Sequence, residues 1–349
     1  IKARETPEVL LDELGPRAFI DEAQRAPELF LAIKAIVDLT NRPGAYLLSG
    51  SNQSRMKSEV SDSLLGRAAY RTLRPLTLSE LRFNESHPGW SFIFGNEKTG
   101  VMTELEQRKN SSGEPSWKEM VKAGGFPRAL AADRNYRSQV LNDYVEVFVN
   151  RDIREVVGIE SPERFEQFFR LMCARTGREL NASAVSNDLG ISVNTVRRWI
   201  DALKRSYLIE TILPYSRNAS QRVIKAPKMF VVDPALALAG SQEKEPNGFH
   251  LETLVCADML QWRDGEPNRA VYHWRLASGQ EIDFIIEENQ KTVPVEVKST
   301  DRIKPRDAKH LRKFIELNPE TPRGILLSCD PEIREIDDKI IAAPWWAVI

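Results

Sequence analysis

The sequence has few cysteines, no long apolar run and no excess of charge of either sign. Its three cysteines, Cys173, Cys256 and Cys329, are far apart and odd in number, which excludes a disulfide scaffold and matches no zinc-binding spacing. No apolar stretch approaches the roughly 18 residues of a membrane span, and we expect a cytoplasmic protein without membrane contact. The net charge of −1 excludes a polybasic nucleic-acid coat, so any nucleic-acid contact must come from a local patch.

The first 83 residues have an α/β pattern. The stretches RAFIDEA and GAYLLSGSN indicate short buried strands, and APELFLAIKAIVDLT between them has helical apolar spacing at Leu29, Ile33, Ile36 and Val37. A strand, a helix and a second strand in this order predict a parallel sheet. Ligands of such sheets bind at the carboxyl ends of the strands.

Two adjacent carboxylates, Asp21 and Glu22, end the first of these strands. An apolar strand that ends in Asp-Glu is typical of the Walker B element of nucleotide hydrolases, in which the aspartate holds Mg²⁺ through water and the glutamate orients the attacking water. The pattern is short, and a strand end with solvated acids is an equally good interpretation of these two residues alone.

Polar residues also follow the second strand. If the two strands are neighbours, Ser49, Ser51 and Asn52 lie beside the acids, where such enzymes sense the γ-phosphate and where we expect Ser51 and Asn52 to contact the nucleotide. Arg67 follows a glycine and is a candidate for an arginine that acts in trans on a transferring phosphoryl group, which requires an oligomer. The alternative for Arg67 is an ordinary surface arginine.

Several short motifs occur in the same order as in one known family. They are FIDEAQRAPELF, LLSGSNQ and SLLGRAAYRTLRPLTLSEL in the first 81 residues, GGFPRAL at 124–130, VNRDI at 149–153, APKMFVVDPAL at 226–236 and PWW at 344–346. With these motifs the chain resembles a bacterial and archaeal family of predicted AAA-type ATPases that carry a C-terminal domain of unknown function. The resemblance covers nearly the whole chain and implies a protein that binds Mg-ATP.

One element of that family is missing from the sequence. The phosphate-binding motif G-x-x-x-x-G-K-[ST] should precede residue 1, and nothing in the 349 residues replaces its backbone nest and lysine. The chain starts with Ile1 rather than Met, and we expect it to be a fragment. Asp21 and Glu22 would then face a Mg-nucleotide only in the full-length protein.

Residues 178–215 have the pattern of a winged helix-turn-helix. A first helix ends at Gly190, Ser192 can cap a second helix, and that helix is predicted to present Thr195, Arg197 and Arg198 to the major groove of DNA. Units of this kind also serve as protein-interaction modules, and the sequence does not decide between the two uses.

A second set of charged residues lies in the C-terminal part. One predicted strand carries Asp283, and the next carries Glu296 and Lys298 on one face. In restriction-endonuclease-like folds, an Asp and a Glu at this spacing bind Mg²⁺ or Mn²⁺, the lysine activates water, and Glu252 on an upstream helix would complete the metal ligands. The alternative is a salt bridge between Glu296 and Lys298 at a strand edge, which contributes little to stability if exposed.

Together these patterns predict an α/β multidomain protein. The predicted domains are a truncated P-loop NTPase-like AAA-type core at 1–83, an insertion and helical connector at 84–175, a winged helix-turn-helix at 176–224 and a mixed α/β restriction-endonuclease-like domain at 225–349. Three functions stay open: a Mg-dependent ATPase that acts on or near nucleic acid, a metal-dependent nuclease of the PD-(D/E)xK type, and a non-catalytic DNA- or protein-binding module.

Overall fold

A computed structural model of the chain describes residues 1–50, 64–82, 89–95, 97–148, 161–216 and 226–349. The chain is mixed α/β and falls into two compact units. One contains Ile1–Thr72 and Ile200–Leu208, and the other contains Leu73–Trp199 and Ile209–Ile349. Within the described ranges no helix combines the length and apolar character needed to cross a bilayer. The VNRDI motif at 149–153 lies outside the described residues.

The N-terminal unit has the predicted strand, helix and parallel strand. Its elements are α1 (Lys2–Glu5), α2 (Pro7–Leu14), β1 (Ala18–Ile20), α3 (Glu28–Thr40) and β2 (Tyr46–Leu48). Strands β1 and β2 are parallel, with Ala18 opposite Tyr46 and Ile20 opposite Leu48. Helix α3 starts directly after Pro27 and ends where Asn41 takes the left-handed conformation at φ 46°, which Asn tolerates well.

The two faces of this small sheet differ in burial. Ile20 and Leu48 pack on one face against a core formed mainly by α2 and α3, whose buried members include Leu11, Leu29, Phe30 and Ile33. On the other face Phe19 and Leu47 are paired in register and are 62% and 66% exposed. Parallel sheets are normally covered on both faces, so the apolar face at Phe19 and Leu47 is unusual.

A helical region follows in the second unit. Its helices are α4 (Leu78–Leu81), α5 (Lys98–Ser112), α6 (Trp117–Ala123), α7 (Pro127–Ala131), α8 (Arg137–Phe148) and α9 (Pro162–Ala174). Helix α5 lies inside the stretch 84–116, the least patterned part of the chain, for which the sequence predicts a loop-rich insertion or a domain boundary. Its buried side chains are Val101, Leu105 and Arg108, so an arginine occupies one position of the inward stripe and hides the amphipathic period.

The described part of residues 178–231 combines two helices with three strands. The elements are β3 (Arg178–Glu179), α10 (Ala182–Leu189), α11 (Val193–Arg205), β4 (Ile209–Pro214) and β5 (Lys228–Val231). Gly190 ends α10 at φ 62°, and the Ser192 hydroxyl accepts the N–H of Thr195 at 3.1 Å at the start of α11, both as predicted. Strands β3 and β4 both pair antiparallel with β5.

The C-terminal elements join these strands in one mixed sheet. They are α12 (Pro234–Ser241), α13 (Gly248–Gly265), β6 (Arg269–Arg275), β7 (Glu281–Glu288), β8 (Lys291–Val297), α14 (Lys309–Leu317), β9 (Gly324–Ser328), β10 (Arg334–Asp337) and β11 (Ile340–Pro344). In the described residues the strand order is β10-β11-β9-β8-β7-β6-β4-β5-β3. The sheet is therefore continuous across the predicted domain boundary at residue 225.

Alternating residues of the central strands supply two cores, one on each face of the sheet. Helix α13 contributes Leu251, Val255 and Met259 to the core that contains Phe284 and Val295. Helix α14 covers the other face, where Leu311 and Phe314 share a core with residues such as Ile285 and Leu326. The order is thus α13, three antiparallel strands, α14 and β9, with β9 parallel to β8.

Candidate functional site

Asp21 and Glu22 leave the carboxyl end of β1, as predicted. Asp21 is exposed, and one of its carboxylate oxygens accepts a hydrogen bond from the Ser49 hydroxyl, which follows β2. The backbone continues the contact between the strand ends, because the Ala23 N–H donates to the Ser49 carbonyl and the Ser49 N–H donates to the Ile20 carbonyl, both at 3.0 Å. The structure therefore brings Asp21 and Ser49 together at one edge of the sheet.

Glu22 has an uncommon backbone conformation. Its φ of 51° and ψ of 40° lie in the left-handed region, which costs a residue with a side chain of the order of 1 kcal/mol or more. Its carboxylate accepts the side-chain N–H of Gln24 at 2.5 Å and lies 3.8 Å from the guanidinium of Arg25. Strained backbone of this kind is found preferentially at functional sites.

The remaining predicted residues of this site are only partly described. Ser51 and Asn52 lie outside the described residues. Arg67 forms a bidentate ion pair with Asp38 of α3, in which Nε and Nη2 donate to the two carboxylate oxygens and Nη2 lies 3.0 Å from Oδ2. The hydrogen bond from Arg67 lowers the pKa of Asp38. To act in trans on a phosphoryl group, Arg67 would have to exchange Asp38 for the phosphate. That role stays a prediction.

The second charged site starts from an irregularity in β7. Tyr272 of β6 is opposite Ile285, but Trp274 is opposite Ile282, so Asp283 and Phe284 together face the single residue between them on β6. An extra residue of this kind is a β-bulge, and bulges re-aim the side chains that they carry. One oxygen of Asp283 accepts the N–H of Val297 in β8 at 2.9 Å.

A lysine that the sequence reasoning did not select lies between two of the predicted acids. The ammonium of Lys228, the first residue of β5, is 2.8 Å from Oε2 of Glu252 and 3.2 Å from Oδ1 of Asp283. Its side chain is only 9% exposed, and those of Glu252 and Asp283 are 12% and 9% exposed. Buried charges require partners, so a lysine within the apolar run KMFVV was the available signal that a carboxylate lies nearby.

Glu296 and Lys298 lie next to this group and contact each other, as predicted. The Lys298 ammonium is 2.5 Å from Oε1 of Glu296. The other oxygen of Glu296, Oε2, is buried and has no hydrogen-bond partner among the described residues. The Glu296–Lys298 pair differs from an exposed salt bridge at a strand edge, because Glu296 is only 3% exposed. Lys298 is half-buried and also lines an open cleft with cations of the following loop, Arg302, Lys304 and Arg306.

Burial and like charge change the protonation of these acids. Burial, followed by the negative charge of Asp283, raises the pKa of Glu252 to about 7 and that of Glu296 to about 8. Burial would by itself lower the pKa of Lys228, but the charges of Asp283 and Glu252 outweigh it and leave the pKa above its ordinary value. The lysine is therefore charged at neutral pH, while the acids hold part of their protons.

A divalent cation does not fit this arrangement of side chains. In the part of the chain that the structure describes, no three His, Cys, Asp or Glu side chains are placed to hold a metal ion. The predicted ligands Glu252 and Asp283 instead share an ammonium, and Glu296 pairs with Lys298. The predicted second Mg²⁺ or Mn²⁺ at these three acids stays a prediction, and Lys228, which the prediction did not include, supplies positive charge between Glu252 and Asp283.

The predicted DNA-contacting residues lie on α11. Arg197 and Arg198 are exposed, while the Thr195 hydroxyl is 2.8 Å from the Ser192 hydroxyl. The buried side of α11 packs into the protein interior, where Trp199 contacts the rings of Phe165 and Phe168. The helix therefore presents two adjacent arginines to solvent.

Three of the sequence motifs meet at a buried carboxylate. Asp233 of the VVDPAL motif is 1% exposed, and its oxygens accept the N–H of Gly125 at 2.6 Å and that of Leu236 at 2.8 Å. Gly125 of the GGFPRAL motif in turn accepts the N–H of Leu76 from LRPLT at 2.9 Å. A Cβ on Gly125 would lie 2.1 Å from the Leu76 carbonyl oxygen, so this close approach requires glycine. The three motifs thus fix the turn at Gly125 and the start of α12 through their hydrogen bonds.

Comparison with known proteins assigns the three parts of the chain to families. Residues 2–82 match the model of an AAA domain, residues 114–246 a domain of unknown function (DUF8612) and residues 247–348 another domain of unknown function (DUF4143). Together the three matches are consistent with an AAA-type family that carries C-terminal domains of unknown function, which confirms the family resemblance predicted from the motifs. An AAA domain indicates in general terms that a protein binds nucleotide and Mg²⁺.

The similar curated proteins carry names that assign no function. Uncharacterized protein Rv2008c of Mycobacterium tuberculosis is 25% identical over 309 residues, which cover 84% of this chain and 61% of that protein. Uncharacterized protein MJ1637 of Methanocaldococcus jannaschii is 22% identical over 219 residues, or 60% of this chain and 45% of that protein. The chain thus spans about three fifths of the length of its mycobacterial relative.

A solved structure, the crystal structure of protein VC1899 from Vibrio cholerae, aligns over 94% of this chain and 86% of that chain. Its sequence identity is 14% and its TM-score is 0.19, so the match supports no statement about the fold.

Proposed function

We propose that the N-terminal unit supplies the magnesium side of an ATP-hydrolysing site in the protein that contains this chain. The observation that carries the proposal is the contact between Asp21 and Ser49 at the carboxyl ends of two parallel strands. This edge is where α/β sheets bind ligands, and a carboxylate beside a hydroxyl supplies the hard oxygen atoms that suit Mg²⁺. The AAA domain match over residues 2–82 agrees with this location.

Each residue then has a separate task. Asp21 would hold Mg²⁺ through water, and Ser49 would keep its carboxylate oriented. Bound Mg²⁺ neutralises phosphate charge in such sites. Glu22 would accept a hydrogen bond from the attacking water, and its left-handed backbone directs its side chain differently from that of Asp21. Ser51, Asn52 and Arg67 keep their predicted roles at the γ-phosphate.

The exposed apolar face of the small sheet gives further support. Phe19 and Leu47 are uncovered, whereas the sheets of nucleotide hydrolases have helices on both faces. We propose that another part of the ATPase domain covers this face. The motif G-x-x-x-x-G-K-[ST] does not occur in the 349 residues, so the proposal requires that this phosphate-binding element be supplied from outside them.

The magnesium role can be tested with Asp21→Asn. In the protein that contains this chain, the substitution should raise the Mg²⁺ concentration for half-maximal ATP hydrolysis by roughly 10- to 100-fold, because a neutral amide is a weaker partner for the cation. Asp12→Asn, at an exposed carboxylate of α2, is the matched control and should leave the magnesium dependence unchanged. An unaltered magnesium dependence in Asp21→Asn would contradict the proposal.

For the rest of the chain we propose a winged helix followed by a restriction-endonuclease-like fold that is not used as a metal-dependent nuclease. The order of helix α13, strands β6 to β8, helix α14 and parallel strand β9 supports the fold. The Lys228 ammonium between Glu252 and Asp283 argues against metal-dependent cleavage. The exposed arginines Arg197 and Arg198 favour contact with nucleic-acid phosphates.

A further inference from the structure

We infer that Lys228 is a built-in cation that takes the place of a divalent metal in the C-terminal charged site, and that removing its ammonium would turn the site into a metal site. The inference does not depend on the proposed ATPase function, because Lys228, Glu252, Asp283 and Glu296 all belong to the second unit. It assigns a role to a residue that lies within the APKMFVVDPAL motif but to which neither the motif nor the family comparison gave a function.

The position of the ammonium is the first support. Nζ of Lys228 bridges Oε2 of Glu252 and Oδ1 of Asp283 at 2.8 and 3.2 Å. The second oxygen of Asp283 is already used by the N–H of Val297. Each of the two acids therefore points one carboxylate oxygen at the lysine. In a metal-dependent enzyme the same oxygen would bind the metal ion.

The lysine is also fixed in this position by its surroundings. Lys228 starts β5 and is paired on both sides, with Glu179 of β3 and Ile212 of β4. Its ammonium lies 5.6 Å from the ring centre of Phe230 and 5.8 Å from that of Phe284, distances at which aromatic faces attract a cation. A buried backbone position and two aromatic rings prevent the side chain from turning out to solvent to admit a metal.

The balance of charge leads to the same conclusion. Three carboxylates, Glu252, Asp283 and Glu296, are accompanied by two ammonium groups, Lys228 and Lys298, so a single bound proton makes the group neutral. A divalent cation would enter an already compensated site and would be repelled by an ammonium at contact distance. Without Lys228 the same three acids would have one ammonium, and the unpartnered Oε2 of Glu296 would be available as a further oxygen ligand.

The test compares Mn²⁺ binding by five proteins that all carry Asp21→Asn, so that the N-terminal unit does not contribute. They are the parent, Asp283→Asn, Lys228→Met, Lys298→Met and Lys228→Met combined with Asp283→Asn. Methionine keeps the length of the lysine stem without its charge, and Lys298→Met is the matched control because Lys228 still fills the site. Bound Mn²⁺ is counted by electron paramagnetic resonance, and melting temperature is recorded with and without Mn²⁺.

We expect Lys228→Met to bind Mn²⁺ at least about tenfold more tightly than the parent, and to gain melting temperature on adding Mn²⁺ by mass action on the folded state. The parent and Lys298→Met should show neither effect, and Asp283→Asn should abolish both. If folded Lys228→Met binds Mn²⁺ no better than the parent, the inference is wrong.

If Lys228→Met does not fold, Mn²⁺ binding by the parent protein tests the inference. Mn²⁺ binding to the parent that disappears with Asp283→Asn would overturn the inference, because a metal would then enter the site with Lys228 in place. Parent protein that binds no Mn²⁺ at Asp283 supports it.

Discussion

At the scale of single residues, buried carboxylates govern how the stability of the second unit depends on pH. Asp258 of α13 is 6% exposed, and it accepts the indole N–H of Trp90 at 2.8 Å. Burial raises the pKa of Asp258 from 3.8 to about 7, against the opposing effect of the Trp90 hydrogen bond. The folded chain therefore holds a proton on Asp258 that the unfolded chain has released at the same pH.

This shift predicts the sign of the pH dependence. Because the pKa of Asp258 is higher in the folded than in the unfolded chain, its contribution to the free energy of unfolding is complete below about pH 4. This contribution decreases by about 4 kcal/mol as pH rises to about 7. Asp258→Asn keeps an oxygen for the Trp90 N–H but cannot titrate. Denaturant unfolding between pH 4 and 7 should show a flatter decline of the unfolding free energy in this variant. An equal slope in both proteins would refute the assignment.

The acids of the C-terminal site could be found from sequence, whereas the apolar run KMFVV indicates that Lys228 needs a carboxylate but not which one. Asp283, Glu296 and Lys298 are close in the chain, and the two-residue period of a strand is enough to place Glu296 and Lys298 on one face. Lys228 precedes Asp283 by 55 residues and enters the site through the pairing of β5 with β3 and β4. Sequence spacing carries no information about such long-range pairing, and the bulge at Asp283 also leaves no local signal.

At the scale of secondary-structure elements, Asp233 joins the start of α12 to the turn before α7. One of its oxygens caps the helix through the Leu236 N–H, and the other accepts the Gly125 N–H. A Cβ on Gly124, which has φ 61°, would lie 2.6 Å from an oxygen of the same carboxylate. The two glycines are therefore needed for close approach of the carboxylate and the backbone.

We predict a large cost for Asp233→Ala. It removes a helix cap, worth about 1 kcal/mol, and leaves the buried N–H of Gly125 without its acceptor, at a further cost of about 1–3 kcal/mol. The matched control is Asn181→Ala, which removes the exposed cap of α10 with its single bond to the Ala184 N–H and should cost only about 1 kcal/mol. Equilibrium denaturation measures both, and equal losses would show that the Gly125 contact contributes nothing.

Elements with a regular apolar period were the ones that the sequence predicted. Helix α3 and strands β1 and β2 appear where the pattern placed them, and so does the turn at Gly190. Helix α5 was missed because Arg108 occupies an inward position, where it lies 3.9 Å above the ring of Phe92 and donates to Glu104. A buried arginine with such partners cannot be distinguished from a surface arginine by sequence period.

At the scale of the whole molecule, a net charge of −1 means that any binding to DNA must be local. Arg197→Ala with Arg198→Ala should weaken duplex binding and lower the slope of log affinity against log salt by up to about 2, since each phosphate contact contributes about 0.9. Lys309→Ala with Arg312→Ala on α14 removes the same charge elsewhere and should have little effect. Fluorescence anisotropy at several salt concentrations is the measurement, and unchanged binding in the first variant excludes α11 as the contact surface.

The chain contains two carboxylate sites in opposite electrostatic states. At the N-terminal site Asp21 is exposed at a strand end and is bonded to a neutral hydroxyl, so its charge is available to a cation. At the C-terminal site Glu252 and Asp283 are buried and already share the Lys228 ammonium. This difference is the physical basis of our proposal that magnesium-dependent chemistry belongs to the first unit and that the second is a scaffold or binding region.

ATP hydrolysis by the protein that contains this chain, measured for Glu22→Gln, tests this account most directly. Glutamine keeps the size of the side chain but cannot accept the proton of the attacking water, so kcat should fall by about 100-fold or more while nucleotide binding is retained. Glu28→Gln, the same substitution at an exposed position of α3, should leave kcat unchanged. Hydrolysis by Glu22→Gln at the parent rate would contradict the account, because the carboxylates after β1 would then have no part in the reaction.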